Sequence, residues 1–381
     1  MRKITIVGDI ICDGEMLKAA KNRNGKYCFD DMFSPLVGYF RDSDFVVGNL
    51  ESSIANQYYT NSVFSFNNPE ELVASLKKIG INVLSLANNH ILDRGIVGLE
   101  ETIQAVEDSG IQYFGIKNRN FYINNEDISV ALLSYTDSTN YHVNKCLAKE
   151  HIYLLKPQNV PVHRKKGNFV SRIYRKLNPN IRININNFFK IKMKPIIDRC
   201  SEFDELKDYI EPLKNNIKNC KKNGYYTIMY PHMGGQYNLE PGEYVLKMTD
   251  KFKKWGSDSV VITHPHIIQK MSLKKDFYCF YSIGGMVISP TSKFVLWETK
   301  PQYSIVLNYY FEKKKMIKIT CSFLTCIKDK DSYLKVYPLS KYYEGCNNKE
   351  KIKIKKEFIE VYNRLFSTSL DDVDIKDEYI I

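Results

Sequence analysis

The chain has 381 residues, 44% hydrophobic and 26% charged, with a formal net charge of +12. That balance is normal for a globular protein with a full core, and no apolar run approaches the ~18 residues needed to span a bilayer. Nine cysteines, odd in number and scattered without a CxxC pair, exclude a disulfide framework or a thiolate metal site and point to a cytoplasmic protein.

Met1-Arg2-Lys3 is basic, but the apolar stretch that follows is short and broken by Asp9, so residues 3–10 read as a first strand and not as a signal peptide. A helical or irregular segment over 30–40 leads to a strand at 45–50. Pro69-Glu70-Glu71 opens a helix through Lys78, with proline near its first turn and acids at its positive end. Gly80 stops that helix, and the near-continuous apolar run Ile81 to Ala87 predicts a strand covered on both faces. A helix over 96–108, ended by Gly110, precedes strands at 111–116 and 127–136. Further on, the periodicity predicts helices at 203–222 and 242–255 and strands at 225–231, 259–263 and 277–283. The remainder carries β-rich segments at 303–311 and 316–326 and a helix over 357–366.

From about 138 to 197 the pattern breaks down, with Pro157, Pro161, Pro179 and Pro195 as punctuation. Between His151 and Ile197 there is no Asp or Glu but there are eleven Lys and Arg, interleaved with Phe169, Tyr174, Phe188 and Phe189. Such an insertion is either a solvated loop or an attractor for an anionic partner: a charged polymer, a membrane surface or, least expected, nucleic acid.

Five strands end in polar tips: Asp9 after Thr5-Ile6-Val7-Gly8, Glu51 after Phe45 to Leu50, Asn88-Asn89-His90 after Val83 to Ala87, His232 after Thr227 to Pro231, and His264-Pro265-His266 after Ser259 to Thr263. In open α/β folds ligands bind along the carboxyl ends of the strands. Each tip has a plainer explanation. His232 could be a hydrogen-bonded structural residue, Asn88-Asn89 a turn pair, Asp93-Arg94-Gly95 a helix cap and His264-Pro265-His266 a surface turn. Those explanations would have to hold at all five tips together. Imidazole plus carboxylate suits Mn, Fe or Zn, and two ions sharing a carboxylate would use the whole set. His90, beside Asn89, is placed to protonate a leaving group.

In this order the motifs Gly8-Asp9, Asn49-Leu50-Glu51, Ala87-Asn88-Asn89-His90-Ile91-Leu92-Asp93-Arg94-Gly95, His232-Met233-Gly234-Gly235-Gln236-Tyr237, His264-Pro265-His266 and Tyr281-Ser282-Ile283-Gly284 resemble the CapA family. These are capsule (poly-γ-glutamate) synthesis proteins related to calcineurin-like metallophosphoesterases. The resemblance covers about residues 3–290 apart from the basic insertion. It implies a four-layer α-β-β-α sandwich with a dinuclear site at one edge, a family domain over 1–310 with its insertion at about 138–197, and a C-terminal extension over 311–381.

It further implies that Asp9 binds one metal, that Glu51 takes the bridging place, that Asn89 and His232 bind the second metal, and that His264 and His266 serve both. His90 and Asp93 become the catalytic pair. The expected protein is a metal-dependent hydrolase acting on a phosphoester or amide-like bond in capsule, polyglutamate or other surface-polymer biosynthesis. Its substrate would be an anionic small molecule or polymer, and other synthesis proteins are further candidate partners. The alternative is a non-catalytic binding or scaffolding protein for an anionic polymer. It is motivated by two departures from the family pattern, Ile11 where relatives have His and Gln236 where they have an acid; Thr263 before His264 and Gly285-Met286 where an Asn-Phe pair is usual are further departures.

Overall fold

Short apolar runs form the centre of the protein because each can bury both of its faces. The structure, a computed structural model, describes residues 1–56, 65–140, 148–158, 177, 194–290, 292, 295–329 and 334–381. Most of the basic insertion therefore lies outside the described residues.

The first half comprises β1 (Arg2–Ile10), α1 (Gly14–Ala20), α2 (Asp30–Phe33), β2 (Phe45–Leu50), α3 (Glu71–Lys78), β3 (Val83–Ser85), α4 (Gly95–Asp108), β4 (Gln112–Phe114), β5 (Phe121–Asn124) and β6 (Ser129–Leu133). After the insertion come α5 (Lys207–Lys222), β7 (Tyr226–Met229), α6 (Glu243–Trp255), β8 (Ser259–Val261), β9 (Met271–Lys274), β10 (Phe277–Phe280) and β11 (Gly285–Val287). The chain ends with β12 (Tyr303–Glu312), β13 (Lys315–Lys328), β14 (Leu334–Pro338), α7 (Leu339–Gly345), α8 (Asn348–Phe366) and β15 (Tyr379–Ile380).

The result is a mixed α/β fold on two mixed sheets. One runs β14-β13-β12-β1-β2-β3-β4, with β11 also on β1 and β15 on β13; the other runs β5-β6-β7-β8-β10-β9. Position 310 falls inside β12, which pairs antiparallel with both β1 and β13, so the C-terminal strands continue the first sheet. Among the described residues no helix is long and apolar enough to cross a membrane.

Alternation along the strands distributes side chains between cores. Val47, Leu132, Ile228 and Val261 join one core together with Ile4, Ile6 and Phe280, so both sheets share it. Their neighbours Val46, Leu133, Met229 and Val260 point the other way. Val46 belongs to one cluster with Leu72, Leu76 and Leu99 of α3 and α4; Leu133, Met229 and Val260 belong to another with Leu213 of α5 and Met248 and Phe252 of α6. This is the period-two geometry of a strand buried on both faces. Polar bonds also join the sheets: Tyr230 Oη donates to Val7 O at 2.6 Å, and Ser85 Oγ lies 2.7 Å from Ser134 Oγ.

Two local expectations change. The predicted strand 127–136 is shorter and is preceded by the antiparallel edge strand β5, because Asn125 turns the chain by accepting from Asp127 N and Ile128 N. The last helix begins at Asn348, nine residues earlier than expected. Its run Lys351-Ile352-Lys353-Ile354 alternates like a strand, but Asn347 and Glu350 form a capping box that nucleates the helix. Replacing Asn347 with alanine is expected to cost about 0.5–2 kcal/mol, read as a lower urea midpoint at unchanged slope.

Candidate metal centre

Asp9 is aimed by an irregularity in β1. Ile6 pairs with Val47 and Asp9 with Asn49, so three residues of β1 span two of β2. Such a bulge re-aims the side chain that follows. Gly8 sits in it because a Cβ there would lie 1.9 Å from Gly284 O. Glu51 follows the last residue of β2, Asn89 follows β3, and His232 and His264 follow the parallel neighbours β7 and β8. The carboxyl ends of β1, β2 and β3 in one sheet meet those of β7 and β8 in the other.

The five tips converge. His232 Nε2 lies 2.7 Å from Asn89 Oδ1, 2.9 Å from His264 Nδ1 and 3.5 Å from Glu51 Oε1. Asp9 Oδ2 accepts from His264 N at 2.9 Å and lies 3.0 Å from His266 Nδ1, while Glu51 Oε1 is 3.8 Å from His266 Nε2. Two groups could each hold a metal ion: Glu51, His232 and His264; and Asp9, Glu51 and His266. Glu51 belongs to both. His264 and His266 have φ of 99° and 59°, a left-handed backbone that costs of order 1–3 kcal/mol per residue and persists where the surroundings enforce it.

The donor set and its burial fit a divalent ion. Glu51 is fully buried, yet neither carboxylate oxygen accepts a hydrogen bond among the described residues. A buried polar group left this way needs a partner, and imidazole plus carboxylate donors suit a transition-metal ion. Charge is balanced internally without one. Burial alone would push the Asp9 carboxyl up, but His232 and His266 hold it well below the usual carboxylate range. Burial opposes protonation of His232, yet Glu51 and Asp9 raise it to about 10. The same two carboxylates raise His266 against burial. His264, desolvated and facing His232 and His266, is held well below the usual imidazole value. Binding of a cation would require both imidazoles in their neutral form.

His90 and Asp93 form a separate pair on the rim. His90 Nδ1 is 2.7 Å from Asp93 Oδ2, and His90 Nε2 faces Glu51 Oε1 at 3.9 Å. Phe66 donates its backbone N–H to Asp93 Oδ2 at 2.6 Å and packs its ring on His90 at 4.3 Å.

Asn49, Asn88, Phe66 and Asn140 were not singled out as site residues. Asn49 Nδ2 donates to Asp9 Oδ1 at 2.7 Å, and Asn88 Nδ2 donates to Asn49 Oδ1 at 3.1 Å and Leu50 O at 2.7 Å. Asn88 Oδ1 in turn accepts from His90 N. The signal lies in the motifs Asn49-Leu50-Glu51 and Asn88-Asn89, the second of which also reads as a turn pair. The departures also have places: Thr263 Oγ1 is 3.0 Å from His232 Nδ1, and Gln236 Nε2 is 3.4 Å from His266 Nε2. Ile11 is buried at the end of β1.

The family described as "Bacterial capsule synthesis protein PGA_cap" matches residues 3–289. The chain belongs to this family. Among its relatives, the chain is similar to "Capsule biosynthesis protein CapA" of Bacillus anthracis, 26% identical over 296 residues; the match covers 74% of this chain and 59% of that relative. It is also similar to "PGA biosynthesis protein CapA" of Bacillus subtilis (strain 168), 23% identical over 319 residues, 81% of this chain and 67% of that one. This PGA_cap chain thus spans 59% of the length of the first of these relatives.

Proposed function

We propose that this chain is a metal-dependent hydrolase of capsule or polyglutamate biosynthesis, acting on a phosphoester or amide-like bond of an anionic substrate. The observation that carries the reading is the shared, hydrogen-bond-free carboxylate of Glu51 between two groups of imidazole and carboxylate donors. Names of the relatives place them in capsule and PGA biosynthesis, which supports the pathway. Three cores, one between the sheets and one on each outer face, support a four-layer α-β-β-α arrangement.

Glu51, His232, His264 and Asn89 would hold one ion, and Asp9, Glu51 and His266 the other. Bound divalent ions supply Lewis acidity at the substrate oxygen and lower the pKa of water. The chain's own residues do the rest. Asn49 and the His264 backbone N–H orient the two oxygens of Asp9. Asp93, 2.7 Å from His90 Nδ1, would stabilise the imidazolium form of His90, whose Nε2–H would pass its proton to the departing group and leave the neutral Nδ1–H ring. Phe66, with its ring 4.3 Å from the imidazole and its N–H on Asp93, would hold the pair in place.

The test is elemental analysis of protein prepared without chelators or an added His-tag, with a panel of phosphoesters and γ-glutamyl peptides. Roughly two equivalents of Mn, Fe or Zn together with turnover are expected. His90→Ala should lower kcat by about 10²- to 10⁴-fold with metal content unchanged. A second reading, a scaffold for an anionic polymer, is favoured by Gln236 standing at His266 in place of an acid. It gains ground if no metal binds after reconstitution and polyglutamate still does.

A further inference from the structure

Strand β6 has a polar tip of its own, outside the five that first pointed to the site. Leu133 is followed by Ser134-Tyr135-Thr136-Asp137-Ser138-Thr139-Asn140. Thr136 Oγ1 donates to Ser138 O at 2.8 Å, and Asn140 N donates to Ser138 Oγ at 3.3 Å. The turn sets Asn140 at φ 51°, a left-handed conformation that asparagine tolerates better than most residues. Its half-buried side chain reaches both Asn89 and His90. Asn89 Nδ2 donates to Asn140 Oδ1 at 3.3 Å, and Asn140 Nδ2 lies 3.3 Å from His90 Nδ1.

The amide orientations are not interchangeable. Asn89 directs its oxygen to His232 Nε2 at 2.7 Å, so its NH2 faces Asn140, which must answer with Oδ1. The NH2 of Asn140 is therefore turned toward His90. His90 Nδ1, at 2.7 Å from the Asp93 carboxylate, carries a proton and is a donor itself. Two N–H groups face each other at 3.3 Å, and no other acceptor for Asn140 Nδ2 is found among the described residues. With His90 Nδ1 donating to Asp93, the half-buried Asn140 NH2 is available as a donor beside the metal-type ligand Asn89 and the proton donor His90.

We infer that Asn140 is a substrate-binding residue whose Nδ2 donates to an anionic phosphoryl oxygen held beside His90. The inference rests on the hydrolase reading above and, of its two substrate classes, favours the phosphoester. A phosphoryl group carries its negative oxygens before the reaction begins, so it accepts from Asn140 on binding. The carbonyl oxygen of an amide-like bond accepts there too but becomes anionic only in the transition state, so a phosphoryl oxygen is the stronger ground-state acceptor.

The experiment is calorimetric titration of the metal-loaded full chain with inorganic phosphate, comparing the unaltered protein with Asn140→Ala and Asn140→Asp. Asn140→Asp keeps an acceptor for Asn89 Nδ2 and removes the donor. Phosphate affinity should fall about 10- to 100-fold in Asn140→Ala, and further in Asn140→Asp, with metal content and melting temperature unchanged. Phosphate binding by Asn140→Ala at the affinity of the unaltered protein overturns this inference and leaves the hydrolase reading standing. Loss of metal in both variants overturns it too, because Asn140 would then act by holding Asn89. An unaltered protein that carries metal but binds no phosphate sinks both the inference and the phosphoester reading.

Discussion

Glu51→Gln is expected to lower bound metal from roughly two equivalents to less than one and to bring hydrolysis below detection. The amide matches the carboxylate in shape but loses the charge that faces His90, His232 and His266 at 3.9, 3.5 and 3.8 Å. Because Glu51 belongs to both donor groups, its neutralisation weakens both at once, whereas a change at His264 or His266 touches one. A stability readout separates this from misfolding. Metal at a hundredfold excess over its dissociation constant stabilises the folded chain by about 2.7 kcal/mol. The unaltered protein should therefore melt several degrees higher with metal than with chelator. Glu51→Gln should show little such difference. A variant that keeps the full metal complement and the metal-dependent rise would remove Glu51 from the shared position.

Gly8→Ala is expected to be strongly damaging although it adds a single methyl. An added Cβ would sit 1.9 Å from Gly284 O and 2.9 Å from its carbon, both backbone atoms that no side-chain rotation can clear. Strands β1 and β11 would have to separate where Asp9 pairs with Gly285. Overpacking of this kind costs about 1–3 kcal/mol, and more where backbone must shift. Asp9 would also move relative to His264 N and His266 Nδ1, so metal content should fall with stability. Gly345→Ala is the control: nothing lies within 4 Å of its added methyl, and the change should be near neutral. Thermal melts and elemental analysis of the two variants decide it, and equal behaviour would sink the close-packing argument.

How far the sequence could be read depended on whether the signal was local. The β1 run Ile4 to Ile10, the β2 run Phe45 to Leu50 and the helix from Glu71 to Lys78 were legible because their periodicity and end signals lie within the segment itself. The start of the last helix, at Asn348 and not at 357, was not legible from the run Lys351-Ile352-Lys353-Ile354, whose apolar residues recur every second position; the Asn347/Glu350 capping box marks it. Asn49, Asn88 and Asn140 were passed over as site residues for a related reason. An asparagine in the last residues of a strand, like Asn49, or just after one looks the same whether it serves the chain's own backbone or orients a partner. Only the 2.7 Å bond from Asn49 to Asp9, and the chain of amides from His232 through Asn89 to Asn140, tell the two apart.

By itself the sequence determined the alternation of short apolar strands and helices, the polar residues at five strand ends and the chemistry those residues share. These are properties of neighbours along the chain, fixed by side-chain period and residue type. The tertiary structure alone decided that β1, β2 and β3 stand in one sheet and β7 and β8 in another, and that the ends of both meet at Glu51. It also decided that Gly8 is required by Gly284, 276 positions later, and that Asn140 comes to lie against His90. Such contacts depend on the pairing of strands distant in sequence, and no local pattern of residues encodes a distance across a fold.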